Sequence, residues 1–263
     1  MSAEARRRPP FLRVSVGLHA AGIATLALAP ERWPLVVAGL LLNHGLIGAA
    51  ALWPRSTLLG ANMTRLEGVS GEVALTFDDG PHPDVTPAVL DLLDRRGARA
   101  TFFCVGRKVA VHRDLVGEVH RRGHRVENHT MSHPHAFGFY GPVAMEREIR
   151  AAQDAIAAAT GRAPRLFRAP VGIRNPWLDR VLARLDLRLV SWTRRGLDTV
   201  HADASRVAAR LLRGLAAGDI LLLHDGGGAR DASGRAVTLD ALERVLDGLE
   251  AAGLRSAPIE REG

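Results

Sequence analysis

Glu72-Val73-Ala74-Leu75-Thr76-Phe77-Asp78-Asp79-Gly80-Pro81 is an apolar run that stops at two adjacent acids and a turn. Its β-branched and aromatic residues read as a strand over Val73–Phe77, and Gly80-Pro81 as the break that ends it. Five more runs of this type follow: Ala100–Cys104, Arg125–Asn128, Arg165–Phe167, Arg188–Trp192 and Ile220–Leu223, with a weaker seventh from Leu254. Helical patterns lie between them at Pro87–Arg96, Asp114–Arg122, Pro142–Ala159, Asn175–Arg184, Ser205–Ala216 and Thr238–Ala252. In the first of these Thr86 is expected to cap, with Pro87 at the first helical position and Gly97 at the exit. Strand ends recur about every 24 to 39 residues, the rhythm of β-α units in a parallel sheet. The repeating region is shorter than the roughly 250 residues of a complete eight-unit barrel. A distorted (β/α) barrel of about seven strands, an α/β fold, is therefore expected.

Catalytic groups of parallel barrels gather where strands finish. Here almost every unusual polar cluster falls at such a place: Asp78-Asp79 after the first strand, His129-Thr130-Met131-Ser132-His133 after the third, Arg168-Ala169-Pro170 after the fourth, Asp198 beyond the fifth, His224-Asp225 after the sixth. One composite site is the economical reading. His129 and His133 are spaced to share a face of a helical turn and grip one metal, and a His pair with a carboxylate is a familiar catalytic zinc set. His120 and His124 have the same spacing, but Arg121, Arg122 and Arg125 surround them and they read as a solvated face. Adjacent acids such as Asp78 and Asp79 repel unless a dication or an arginine compensates. One should bind and the other stay free; the residues alone do not say which.

The ordered set Thr76-Phe77-Asp78-Asp79-Gly80-Pro81, His129-Thr130-Met131-Ser132-His133, Arg168-Ala169-Pro170-Val171-Gly172 and Leu223-His224 resembles the successive motifs of the polysaccharide deacetylases, the NodB-like domain of carbohydrate esterase family 4. The similarity spans roughly residues 70–257. It implies metal-dependent removal of acetyl groups from amino sugars, with Asp79, His129 and His133 as metal ligands and Asp78 as general base. It also implies that Arg168 pairs with Asp78, that His224 is the general acid tuned by Asp198, and that the Val171 backbone N–H, beside Pro170, meets the oxyanion. Asn128 is open between orienting His129 from behind and capping the turn that follows. Zinc is the expected ion, and an acetylated amino-sugar glycan or glycolipid the expected partner. Position 171 is usually aromatic in the family and is valine here, which removes a wall of the sugar groove. With aromatics at only 5% of the chain, a small or lipid-linked sugar is favoured over a long polymer. The alternatives are a deformylase or deacetylase of a polyprenyl-linked sugar and, in another class, a non-catalytic membrane-anchored glycan-binding protein. Phe137, Phe139 and Tyr140 are open between a substrate lip and core packing. Cys104, the one cysteine, excludes intrachain disulfides and reads as core.

The N-terminal region is a different material. Val14–Ala29 and Leu35–Trp53 carry no charge and flank Pro30-Glu31-Arg32-Trp33-Pro34. The second run, of 19 residues, approaches the roughly 20 that a membrane helix needs, and Trp33 and Trp53 stand where interfacial rings belong. A hairpin of two membrane helices over residues 14–54 is expected, anchored in lipid of the cell membrane. A cleaved signal peptide accounts for the first run but not the second. Around the hairpin lie a basic tail (1–13), a linker (55–69), the catalytic domain (70–257) and a C-terminal tail (258–263). Asn43 and His44 are expected to bond between the helices. Arg6–Arg8 favour a cytoplasmic N-terminus, and two crossings return the catalytic domain to that face. Residues 1–69 hold seven Arg and three Glu, a net +4 of the chain's +7. The excess charge thus flanks the apolar runs, and nucleic acid is not an expected partner.

Overall fold

The computed structural model describes residues 9–260; Arg6–Arg8, with the rest of residues 1–8 and 261–263, lie outside the described residues. Two apolar helices come first, α1 (Pro10–Leu28) and α2 (Trp33–Leu52), joined by a 3-10 turn at Pro30–Arg32. Both are long and apolar enough to cross a membrane, and most of their residues are exposed. α1 begins inside the expected tail. Between the helices the Asn43 amide donates to the Ser15 hydroxyl at 2.9 Å, the expected interhelical bond, while His44 meets the ring of His19 edge-on and its own Leu40 carbonyl.

The region after residue 70 is a distorted (β/α) barrel. Its strands are β1 (Glu72–Asp78), β2 (Ala100–Cys104), β3 (Arg125–Asn128), β4 (Leu166–Phe167), β5 (Arg188–Leu189), β6 (Arg194–Arg195) and β7 (Ile220–His224), with a short β8 (Arg255–Ser256) beside β1. All pair in parallel, in the order β5-β4-β3-β2-β1-β7-β6. The helices are α3 (Val85–Arg95), α4 (Gly106–Val111), α5 (Arg113–Arg121), α6 (Pro142–Thr160), α7 (Leu178–Arg184), α8 (Ala204–Leu212) and α9 (Val237–Ala251). The expected run 188–192 is shortened to β5, with β6 and α4 as further elements that the sequence pattern does not reveal.

Side chains alternate along each strand. Val73, Leu75 and Phe77 of β1, with Phe102 of β2 and Leu221 and Leu223 of β7, pack outward against the helices. Ala74, Thr76 and Asp78 fall on the other face, as do Phe103, Leu166 and Leu222, whose side chains fill the barrel interior. Asp78 and His224 share a register position and a face, so the last inward residues of two adjacent strands are an acid and a histidine.

Two sequence readings change here. Thr86 does not cap α3, which starts at Val85; its hydroxyl accepts from the His82 N–H at 2.8 Å and donates to Asp225 at 2.6 Å. His124 is not solvated: it lies beyond the end of α5, buried, accepts the Ala100 N–H at 3.2 Å and meets Phe102 edge-on. Burial pushes it down to about 4. Arginines near it in sequence point elsewhere, because a turn at Gly123 reverses the chain.

The gap between β5 and β6 is closed by residues 54–66. Met63 bridges Val190, Leu66 N–H donates to the Gly218 carbonyl at 2.8 Å, and the Ser191 hydroxyl donates to the Pro54 carbonyl at 2.7 Å. The segment expected to be a linker is thus bonded into the barrel wall. Its anchor is Asp219, fully buried, which receives Arg65 at 2.8 Å and Arg194 at 2.6 Å. Ile259, in the expected C-terminal tail, is also buried, its N–H donating to the Thr101 hydroxyl. Removing one carboxylate paired with two arginines should cost about 2 kcal/mol, less than a fully buried pair because Arg65 is half exposed. Asp219→Ala is therefore expected to lower the urea midpoint of the detergent-solubilised chain, and an unchanged midpoint would show that this carboxylate does not hold the strap.

Candidate active site

The site forms where β1, β3, β4 and β7 end. β1 carries Asp78 inward as its last residue; Asp79 then turns out of the strand at φ +69°, so two consecutive acids face different neighbours. Asp78 is buried and its Oδ1 accepts from Arg168 Nη1 at 2.6 Å. Asp79 Oδ1 lies 3.1 Å from His133 Nε2 and 3.4 Å from His129 Nε2, and is buried without a hydrogen-bond partner.

The two histidines do not share a helical turn. They sit on a loop in which Thr130 and His133 both have positive φ. Asn128 Oδ1 accepts the Thr130 N–H at 2.9 Å, Thr130 Oγ1 accepts the His133 N–H at 3.0 Å, and Glu148 of α6 accepts the Ser132 N–H at 2.9 Å. Local side-chain bonds of this kind substitute for helical ones. Asn128 therefore positions the loop rather than the His129 ring; its amide is held by the Ile149 carbonyl and Gln153. The ring is set by the Arg168 carbonyl, 2.8 Å from His129 Nδ1, which leaves Nε2 as the lone-pair atom facing Asp79.

Three donor atoms, of Asp79, His129 and His133, lie within 4.8 Å of one another. A tetrahedral ion with bonds of about 2.0–2.1 Å requires ligand atoms about 3.3 Å apart. The two spacings from Asp79, 3.1 and 3.4 Å, bracket that value, and the orphaned Asp79 oxygen is what such an ion would satisfy. Burial and the nearby His129 push His133 down to about 4, leaving it neutral with a free lone pair. Burial alone would raise Asp79, but the imidazoles around it more than offset this and hold it well below the usual carboxylate range. The set fits a divalent metal.

Across the pocket, His224 Nδ1 is 2.8 Å from Asp198 Oδ1, and Asp198 Oδ2 accepts the His224 N–H and the Thr238 hydroxyl, each at 2.7 Å. Burial would lower His224, but the Asp198 hydrogen bond and charge, with Asp78 and Asp79 behind, outweigh it and raise the imidazole above its ordinary value. Arg168, fully buried, also donates to Thr76 Oγ1 and to the Val190 and Ser191 carbonyls, and its guanidinium stacks over Phe103 at 4.0 Å. Pro170 is buried, and Val171 is held at φ +51° at the pocket wall. That conformation is costly for a β-branched residue.

All ten residues singled out in the sequence thus meet around one cleft of about 350 Å³ or directly behind it. Sequence reasoning missed Glu148, Thr238, Lys108 and Arg195. Glu148 reads as one charge among several in Glu146-Arg147-Glu148, and Thr238 as a helix-start residue; neither has a local signal. Lys108 donates to the Asp79 carbonyl at 2.6 Å. Gly226 is needed where the chain passes that same carbonyl, since a Cβ there would stand 2.2 Å from it. Phe137 is core, whereas Phe139 is exposed. Cys104 is core, as expected.

The polysaccharide deacetylase profile matches residues 67–190. A chitooligosaccharide deacetylase of Azorhizobium caulinodans is 35% identical over 202 residues, 74% of this chain and 96% of the relative. A peptidoglycan-N-acetylglucosamine deacetylase of Bacillus cereus is 34% identical over 70% of this chain and 84% of its own length. Among solved structures, a family 4 carbohydrate esterase from Streptomyces lividans in complex with acetate superposes with a TM-score of 0.66 at 36% identity, covering 73% of this chain and 94% of that one. Motif order, barrel and overall similarity agree: the chain belongs to the polysaccharide deacetylase family, the NodB-like group of carbohydrate esterase family 4.

Proposed function

We propose that this chain is a membrane-anchored, metal-dependent N-deacetylase of an amino sugar. The observation that carries the reading is the register pairing of Asp78 with His224 beside the Asp79-His129-His133 triad. A free acid and a histidine then flank one small volume from opposite sides. The named substrates of the relatives, chitooligosaccharide and peptidoglycan N-acetylglucosamine, support an acetylated amino sugar as the class.

Asp79, His129 and His133 would hold the ion, and their nitrogen and carboxylate donors suit zinc. Bound there, it would supply Lewis acidity, acidifying water and polarising the amide carbonyl. Asp78, positioned by Arg168, takes the proton of the attacking water. The Val171 N–H meets the oxyanion that develops on the carbonyl oxygen, and its strained backbone is the kind of feature that presents such a donor. His224 protonates the leaving nitrogen, since an amine departs poorly without a proton. Acetate and the free amino sugar result. The raised His224 suits that role, and Asp198 is its positioning residue. A purely glycan-binding protein has no use for this acid-histidine pair.

The hairpin α1–α2 is read as the membrane anchor. Its two crossings bring the catalytic domain back to the side of the N-terminus, the cytoplasmic face by the charge argument.

Asp78→Asn is expected to lower the rate of acetate release from N-acetylated chitooligosaccharide at least a hundredfold while bound zinc stays near one per chain; His129→Ala should lose the zinc as well. Acetate release by Asp78→Asn at the wild-type rate would sink the mechanism. A general acid works only while protonated, so activity should fall as pH rises through the raised His224 value. Asp198→Asn removes the largest raising influence, and the alkaline limb of the pH-rate profile should move to lower pH; a limb that stays put would remove His224 from the acid role. Alkaline carbonate should leave the full chain in the membrane pellet, whereas recovery in the supernatant would refute the anchor.

A further inference from the structure

The catalytic cleft carries more positive charge than a neutral sugar would need. Arg107, Lys108 and Arg195 all line it. Of the two carboxylates facing them, Asp78 is paired with Arg168 and Asp79 faces the two imidazoles. Arg195 is half-buried on β6 with its guanidinium 5.7 Å from the Trp192 ring centre, and its Nε is buried without a hydrogen-bond partner. No salt bridge joins Arg107 or Arg195 to an acid among the described residues. The adjacent Arg194, by contrast, is spent on Asp219 and the Arg213 and Gly214 carbonyls. Arginines kept at a pocket with free N–H groups and no internal acid are suited to a phosphate, whose oxygens a guanidinium fork meets in pairs.

The same cleft touches the end of α2. Gly172, in the pocket wall, sits so close to Pro54 that a Cβ would stand 2.9 Å from its Cγ, and the neighbouring Arg174 N–H donates to the Ala51 carbonyl in the last turn of α2. Around this contact Trp53, Trp177 and Val171 are exposed. A membrane-spanning α2 therefore delivers the mouth of the cleft to the bilayer surface, with an apolar rim toward lipid and the cations inside.

We propose that the substrate is an acetylated amino sugar borne on a lipid phosphate, with Arg195 and Arg107 gripping the phosphate while the sugar's N-acetyl group lies at Asp78 and His224. This rests on the deacetylase and anchor readings above. The shared chemistry is a glycosyl phosphate; the contact of α2 with the pocket wall favours a lipid carrier over a soluble one.

The test compares acetate release by the zinc-loaded full chain in micelles from N-acetylated chitotetraose, N-acetylglucosamine 1-phosphate and a polyprenyl diphosphate N-acetylglucosamine. The lipid-linked sugar should be preferred over the soluble phosphate, and both over the neutral oligosaccharide, in kcat/KM. Arg195→Gln should shrink the preference for the phosphorylated substrates over the neutral one by about tenfold, mainly through KM, with Arg195→Lys recovering part of it. A neutral oligosaccharide preferred over both phosphates, or Arg195→Gln lowering all three substrates equally, would overturn the phosphate site. Equal use of the soluble and lipid-linked phosphates would overturn the lipid carrier. If none of the three yields acetate, the deacetylase reading fails by itself; titration of N-acetylglucosamine 1-phosphate into the wild type and Arg195→Gln then decides the phosphate site, which stands on weaker binding by the variant and falls on equal binding.

Discussion

Arg168 places a full positive charge inside the barrel with none of its surface exposed, a position that costs several kcal/mol unless its N–H groups are answered. They are answered from two strands and the chain beyond β5: Thr76 and Asp78 of β1, the carbonyls of Val190 and Ser191, and the ring of Phe103 of β2 beneath the guanidinium plane. Its own carbonyl orients His129. One residue thereby ties the free acid and one of the proposed metal ligands to the same backbone segment. The Asp78-Asp79 repulsion is relieved by the same arrangement, because one acid is given to the arginine and the other to the histidines.

Around this centre the backbone is held in conformations that side chains normally avoid. Of the non-glycine residues with positive φ, Asp79, Thr130, His133 and Val171 all belong to the site or its loop, and Leu197 precedes Asp198. Each such residue costs of order 1 kcal/mol or more and persists only where its surroundings over-determine it. Here they do: Asn128, Thr130 and Glu148 satisfy the loop's N–H groups from three directions. Strain is concentrated where side chains must point against the run of the chain.

The third constraint is the strap of residues 54–66. It fills the open seam between β5 and β6 and is continuous with α2, so the apolar hairpin and the barrel are not independent units joined by slack chain. The end of α2 and the pocket wall are separated only by the contact of Pro54 with Gly172.

Much of this was legible in the linear chain. Short apolar runs separated by helical patterns give a parallel β-α fold whatever the details, and strand ends rich in acid, histidine and arginine mark a site because apolar strands have no other reason to terminate so. Burial of strands on both faces is a local property of composition, and so is the apolar hairpin. What stayed hidden depends on contacts between residues distant in sequence. Whether Asp78 or Asp79 stays free is set by strand alternation and a single left-handed residue; that His129 and His133 occupy a loop follows from bonds to Asn128 and Glu148; that His124 is buried follows from the Gly123 turn toward β2. The closing of the barrel by residues 54–66 and the free cations of Arg107 and Arg195 are of the same kind. Spacing along a chain determines which side chains recur on one face, but which charges are paired, buried or left over is decided only when the faces meet.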